Sequence, residues 1–188
     1  METFEAIRNR KSVRSYLDKP VEKDLIEEVA KAGYMAAGTP MAGKVYIHII
    51  ANKDLLRELV QTTKAVMANS RIPMLQNLGS NPGFSPIYGA PVAAIISVDP
   101  ASDDNTKSMA IQNAACAGEN MLVAATSLGI GSCYLNTPTL AFLNPEFKKK
   151  VGLGEDVSPV AVVVFGYTSD NAPHKEYPES PEEIKYIY

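Results

Sequence analysis

The chain has 188 residues, of which 46% are hydrophobic and 21% are charged, and its formal net charge is −3 at pH 7. This composition excludes an intrinsically disordered chain, and the length suits a single domain over residues 1–188. Because the chain is slightly acidic and has no long basic segment, we expect it to bind neither nucleic acid nor an anionic membrane. Two cysteines and two histidines are too few for a disulfide framework or a typical Cys/His zinc site. The N-terminus lacks an apolar signal core and no apolar run could span a bilayer, so a cytoplasmic location is expected.

Helical and strand periodicities alternate along the chain. Helices are predicted at residues 3–9, from 20 to about 38, from 52 onward, at 105–128 and at 139–151. Strands are predicted at residues 45–51, 91–98, 130–135 and 159–166. Thr3 and Asn52 are expected to cap their helices. This order of elements indicates an α+β fold in which helices flank a sheet.

Two strands and one helix have the composition of central elements. The strands at 91–98 and 159–166 are apolar on both faces, which is typical of buried central strands. The helix at 105–128 is rich in alanine and glycine, so several neighbours can pack closely against it. Its polar residues are interpreted as buried hydrogen-bonding or interface groups rather than ligand contacts; they are Gln112, Asn113, Glu119 and Asn120.

Two segments show no regular pattern. Residues 69–89 contain several prolines and glycines together with apolar side chains, which predicts a long irregular loop that is either a lid or a packed Ω-loop. Phe84 and Tyr88 in this loop are candidates for covering a substrate, and simple loop packing is the alternative. The tail, residues 174–188, predicts an extended arm that lies on another surface.

A basic cluster, Arg10-Lys11-Ser12-Val13-Arg14, follows the first predicted helix. Three cationic side chains flank one hydroxyl, and this set of donors is suited to holding a phosphate monoester. On its own the cluster could equally be a solvated turn, because basic surface clusters are common.

Several segments together resemble the nitroreductase family of FMN-dependent oxidoreductases, and the resemblance covers nearly the whole chain. The segments that carry it are Arg10 to Tyr16, Pro20-Val21 with the acidic helix after it, Gln112-Asn113 in a helix that leads into Ser127 to Cys133, and Pro159 to Tyr167. The resemblance implies a mixed sheet flanked by helices and a homodimer with two FMN sites at the subunit interface. It also implies that the C-terminal arm embraces the partner subunit.

The same resemblance implies roles for individual residues. Arg10 and Ser12 would bind the FMN phosphate with Lys11 nearby, and Arg14 would reach the pyrimidine edge of the flavin. The remaining cofactor contacts that it implies are the segment Cys133-Tyr134-Leu135 near flavin N5, Met41, and a second phosphate group at His174 and Lys175. The family often has Asn and Gln before Pro-Trp after its second helix, whereas this chain reads Pro40 to Val45 without those amides.

The implied activity is hydride transfer from NADH or NADPH, through FMN, to a nitroaromatic, a quinone or a similar small electron-poor acceptor. No side chain is assigned as a catalytic acid. Another redox reaction on the same flavin, such as enone reduction or dehydrogenation of a small metabolite, is the alternative enzyme hypothesis. A flavin-binding protein with little turnover and a dimeric scaffold without a cofactor are the alternatives outside that class. Cys133 and His48 are expected to be structural residues, the first buried and the second half-buried.

Overall fold

A computed structural model describes residues 1–169 and 184–187. The helices are α1 (Thr3–Asn9), α2 (Lys23–Tyr34), α3 (Lys53–Ala68), α4 (Pro73–Ser80), α5 (Asp104–Ser127) and α6 (Pro145–Lys150). The strands are β1 (Val45–Ile50), β2 (Val92–Val98), β3 (Gly131–Leu135) and β4 (Ser158–Gly166), and short 3₁₀ segments occupy Pro40–Ala42 and Thr137–Leu143. The predicted α+β class is therefore confirmed.

The strands form one sheet in the order β1-β2-β4-β3, and each pair of neighbours is antiparallel. The expectation of a mixed sheet was therefore wrong. β2 and β3 run in the same direction, as strands joined by a helix commonly do, but β4 lies between them and runs the opposite way. Among the described residues, one parallel bridge, between Ser12 and Ser132, adds the N-terminal segment to the outer side of the sheet.

The sheet separates two apolar layers, because successive side chains of a strand point to opposite faces. Ile96 on β2 faces the layer that contains Val29 of α2 and Met121 of α5. Its neighbour Ile95 faces the other layer, together with Leu59 of α3. Every residue of β2 is buried, which confirms the prediction of a central strand with two apolar faces.

α5 is the central helix, as its small residues predicted. Its N-cap is Asp103, whose carboxylate accepts a hydrogen bond from the Thr106 amide at 2.9 Å. Where α5 crosses β3, a Cβ atom on Gly118 would lie 2.5 Å from the Tyr134 ring. The absence of a side chain at Gly118 is thus what allows helix and strand to approach so closely.

Three local predictions need correction. Residues 69–89 are not wholly irregular, because Pro73 starts the two-turn helix α4, and proline is favoured in a first helical turn. The helix expected at 139–151 is divided, since Asn144 caps a new helix by accepting from the Glu146 amide at 3.0 Å. Asn52 caps α3 as predicted, whereas α1 begins after Glu2 and has no side-chain cap.

His48 on β1 is expected to make the stability of the fold sensitive to mild acid. It is half-buried, as expected, and its buried Nδ1 atom has no hydrogen-bond partner in the described part of the chain. Burial lowers the pKa of His48 from its ordinary value. The unfolded chain therefore binds more protons than the folded one below about pH 6.5, and stability falls as the pH drops through that range.

We therefore expect the free energy of unfolding, measured with urea, to fall between pH 7.5 and pH 5.5 by more in the wild-type protein than in His48→Val. Valine suits this strand position and cannot be protonated. An identical pH dependence in the two proteins would contradict this assignment to His48.

Candidate functional site

The basic cluster lies on a segment without helix or strand structure, residues 10–17, which we call the N-terminal strap. The strap runs beside β3, where the Val13 amide donates a hydrogen bond to the Ser132 carbonyl at 2.9 Å. It then reaches the end of β4, where the Leu17 amide donates to the Tyr167 carbonyl at 2.9 Å. Strap and sheet are therefore joined by main-chain hydrogen bonds, which fix the register of the cluster against β3.

This register brings Arg10, Ser12 and Arg14 close to Cys133. Burial is the largest influence on the Cys133 thiol and raises its pKa. The charge of Arg14, a hydrogen bond with Ser12 and the charge of Arg10 act in the opposite direction. Cys133 is 1% exposed, so it is buried as expected, and it lies close to the positive charges of Arg14 and Arg10.

The polar side chains of the strap differ in their access to solvent. Ser12 and Arg14 are exposed, and Lys11 is partly exposed. The Arg10 side chain is 23% exposed, and its Nε atom lies 3.3 Å from a carboxylate oxygen of Glu119 on α5. The cluster is therefore a set of cationic and hydroxyl donors on a fixed backbone, and this chemistry fits a phosphate group.

Two residues that matter here were not assigned to the site from sequence. Glu119 belonged to the predicted polar stripe of α5, but nothing in its local pattern showed that it pairs with Arg10. Tyr16 closes the sequence motif, and its hydroxyl donates to the Val13 carbonyl at 3.0 Å. Burial, the largest influence on the Tyr16 hydroxyl, raises its pKa, so this hydroxyl remains a donor.

The segment Cys133-Tyr134-Leu135 is the second half of β3, and its side chains alternate between the two core layers. Cys133 and Leu135 pack in the layer that contains α3, whereas Tyr134 packs in the layer that contains α5. Tyr134 is half-buried, and burial raises the pKa of its hydroxyl. These side chains support the sheet, so contact of this segment with a ligand would be made chiefly through its backbone.

The two candidate lid residues lie in different surroundings. Tyr88 is half-buried, adopts a positive φ of 55° and lies near the Tyr16 hydroxyl at the strap. Phe84 is half-buried in a turn in which its amide donates to the Asn81 carbonyl at 3.2 Å. Tyr88 is therefore part of the strap's surroundings, and the lid role of both residues stays a prediction.

Met41 lies on a turn that is held by the middle of α5. It is 78% exposed on the 3₁₀ turn Pro40–Ala42. The amide side chain of Asn113 holds this turn, because it accepts from the Thr39 amide at 3.0 Å and donates to the Thr39 carbonyl at 2.9 Å. The neighbouring cavity of about 600 Å³ lies between the end of α2, β1 and α5. Asn113 and Glu119 are about 9 Å apart along the helix axis, so α5 supports both the turn and the strap.

His174 and Lys175, the predicted second phosphate group, lie outside the described residues. Most of the predicted C-terminal arm lies there as well, and the described residues 184–187 are exposed. In the described part of the chain, no helix has the length and apolar character needed to cross a membrane.

A family model and a curated relative both associate the chain with nitroreductases. The family model described as "Nitroreductase family" matches residues 7–167. A protein of Methanothermobacter thermautotrophicus named "Putative NADH dehydrogenase/NAD(P)H nitroreductase" is 25% identical over 171 residues, which cover 91% of this chain and 80% of that relative.

Solved structures resemble the chain over its full length. A nitroreductase with bound FMN from Bacteroides fragilis NCTC 9343 is 29% identical with a TM-score of 0.88, and the match covers 100% of each chain. A nitroreductase with bound FMN from Desulfitobacterium hafniense DCB-2 is 22% identical with a TM-score of 0.83, covering 99% of this chain and 98% of that one. The second likeness concerns the fold alone.

Proposed function

The chain belongs to the nitroreductase family, and we propose that it is an FMN-dependent oxidoreductase that passes hydride from NADH or NADPH to nitroaromatic, quinone or similar small electron-poor acceptors. The observation that carries this proposal is the strap, which holds Arg10, Ser12 and Arg14 beside β3. Bound FMN in a relative of 29% identity supports the choice of cofactor.

The donor set of the strap fits the phosphate of FMN. Arg10 offers a planar fork of N–H donors and Ser12 a short hydroxyl, and we propose that both bind the phosphate oxygens, with Lys11 adding positive charge nearby. Glu119 holds the Arg10 guanidinium from α5 and so orients it before the phosphate arrives. His174 and Lys175 are proposed as further phosphate ligands on the basis of the family resemblance.

We propose that Arg14 contacts the pyrimidine edge of the flavin and that the backbone of Cys133 to Leu135 passes near N5. Bound FMN would supply the hydride-accepting and hydride-donating chemistry. A guanidinium at the pyrimidine edge stabilises the negative charge that reduction places there. The buried and protonated Cys133 packs beneath this region and takes no part in proton transfer.

A homodimer is the proposed assembly. Phe4, Ile7, Tyr34 and Met35 are large apolar side chains that are 50–84% exposed. Ile7 and Met35 also line one apolar groove beside α5, and exposed apolar surface of this kind is typical of subunit interfaces. The resemblance implies two FMN sites at that interface, with the Met41 turn among the groups that contact the cofactor.

The stretch from Pro40 to Val45 lacks the amide side chains that the family often has there. This difference affects the choice of electron acceptor more than any other part of the proposal. The exposed thioether of Met41 stands in the stretch where the family often has amide side chains. A different reaction on the same flavin, enone reduction or dehydrogenation of a small metabolite, is therefore the second candidate function. A binding protein with little turnover is distinguished from both by whether reduced nicotinamide bleaches the flavin.

The purified protein is expected to be yellow, or to become so on addition of FMN, with the absorbance of an oxidised flavin. Under anaerobic conditions, NADH or NADPH should bleach this absorbance, and a nitroaromatic or quinone should restore it. A protein whose spectrum and melting temperature do not change when FMN is added would contradict the cofactor assignment. Bound FMN that neither nucleotide reduces would instead favour the binding protein.

A further inference from the structure

The backbone amide and the backbone carbonyl of Val13, at the centre of the strap, are both hydrogen-bonded. Its amide donates to Ser132 on β3 at 2.9 Å, and its carbonyl accepts from the Tyr16 hydroxyl at 3.0 Å. The same hydroxyl lies 3.5 Å from the Val164 carbonyl on β4. Tyr16 therefore connects the strap to the sheet through its side chain, in addition to the main-chain bonds described above.

Two glycines create the space in which this connection fits. Gly131 on β3 and Gly166 on β4 are paired across the sheet. A Cβ atom on Gly131 would lie 2.9 Å from the Val13 side chain, and one on Gly166 would lie 2.5 Å from the Pro91 ring and 3.1 Å from the Tyr16 ring. These distances are shorter than ordinary van der Waals contacts, so the paired glycines form the floor on which Val13 and Tyr16 pack.

The fixed orientation of Val13 determines where its neighbours point. Val13 is 2% exposed, whereas Ser12 and Arg14 are exposed. Burial alternates along this part of the strap, so the buried Val13 side chain is flanked by Ser12 and Arg14 on the solvent side. A rotation of the Val13 peptide would move both of these donors away from their positions beside Cys133.

We propose that Tyr16 is a positioning residue for the cofactor, acting through the Val13 carbonyl on Ser12 and Arg14. The inference rests on the proposed function, because it assumes that these two donors hold FMN. Tyr16 itself does not contact the ligand in this proposal; its hydroxyl fixes the backbone from which the ligand-binding side chains extend.

The test measures the affinities of the Tyr16→Phe protein for FMN and for riboflavin, which lacks the phosphate. Loss of the single hydroxyl is expected to weaken FMN binding by about tenfold, and to weaken riboflavin binding by less, since only FMN uses Ser12. Tyr167→Phe is the matched control, because it removes a hydroxyl that bonds to Glu22 on the exposed surface. Equal affinities in Tyr16→Phe and the wild-type protein would overturn the inference, as would an equal loss for both flavins.

A second pair of variants tests the glycine floor. Gly131→Ala should displace the strap and weaken FMN binding by at least tenfold, whereas Gly154→Ala, whose added Cβ would have no neighbour within 4 Å, should leave binding unchanged. Unchanged FMN binding in Gly131→Ala would also overturn the inference. A wild-type protein that binds no FMN would instead refute the proposed function, so the two failures are distinguishable.

Discussion

The variant Arg10→Ala/Ser12→Ala is expected to bind FMN at least a hundredfold more weakly than the wild-type protein. A hydrogen bond to a charged group contributes about 1.5–3 kcal/mol, and the double variant loses the proposed contacts of two side chains to the phosphate. A hundredfold loss of affinity corresponds to about 2.8 kcal/mol, so the expectation is a lower bound. Riboflavin binding should change far less, because riboflavin has no phosphate.

Titration of the apoprotein with each flavin, followed by flavin fluorescence, measures both affinities. The matched control is Lys53→Ala/Arg57→Ala, which removes two exposed cations that pair with Asp18 and Asp54. Its effect on either flavin should be within about twofold, because exposed ion pairs contribute little. If the control weakened FMN binding as much as Arg10→Ala/Ser12→Ala, or if riboflavin lost as much as FMN, the phosphate assignment would be wrong.

The central elements could be predicted from sequence because their signals are local. β2 and β4 are continuous apolar runs, and a strand that is apolar on both faces is stable only when it is buried between two layers. α5 was recognisable from its length and its small residues. In each case the observed bounds differ from the predicted ones by one residue, as expected where caps and fraying decide the ends.

The direction of the strands and the fate of residues 69–89 depended on contacts that are distant in sequence. β4 enters between β2 and β3 only after α6, and no local pattern indicates where a strand will insert. α4 contains a proline and a glycine, which are typical of loops. It nevertheless packs so closely on α3 that a Cβ on Gly79 would lie 2.4 Å from the Ala68 amide nitrogen. Tertiary packing thus overrode the weak local preference of this segment.

The candidate site, like the fold, has one part that the sequence predicts and another part that depends on contacts distant in the chain. The basic cluster was found because its donors are consecutive in the chain. The residues that support it could not be predicted from sequence, because they are distant in the chain. Glu119 lies 109 residues after Arg10, and Ser132 lies 119 residues after Val13. The glycine pair at Gly131 and Gly166 has meaning only once β3 and β4 are placed side by side.

The variant Gly118→Val should destabilise the fold strongly. Its Cβ atom would lie 2.5 Å from Cε2 and 2.8 Å from Cδ2 of Tyr134, with Ile96 at 3.4 Å. Both neighbours belong to the sheet and pack in the layer of α5, so α5 and β3 are expected to move apart. Overpacking of this kind costs about 2–3 kcal/mol, which corresponds to a fall in melting temperature of about 5–10 °C for a domain of this size.

Thermal unfolding of the apoprotein provides the measurement, with Ala65→Val on the exposed side of α3 as the control that introduces valine at an exposed helical position. Helix propensity cannot explain a loss in Gly118→Val, because valine is a better helix former than glycine. The control should lose only about 0.5 kcal/mol. Because β3 also carries the strap through the bond between Val13 and Ser132, the displaced strand in Gly118→Val should weaken FMN binding as well. A Gly118→Val protein as stable as Ala65→Val would mean that α5 and β3 can separate freely, and the close packing of helix, strand and strap would then not be what positions the donors.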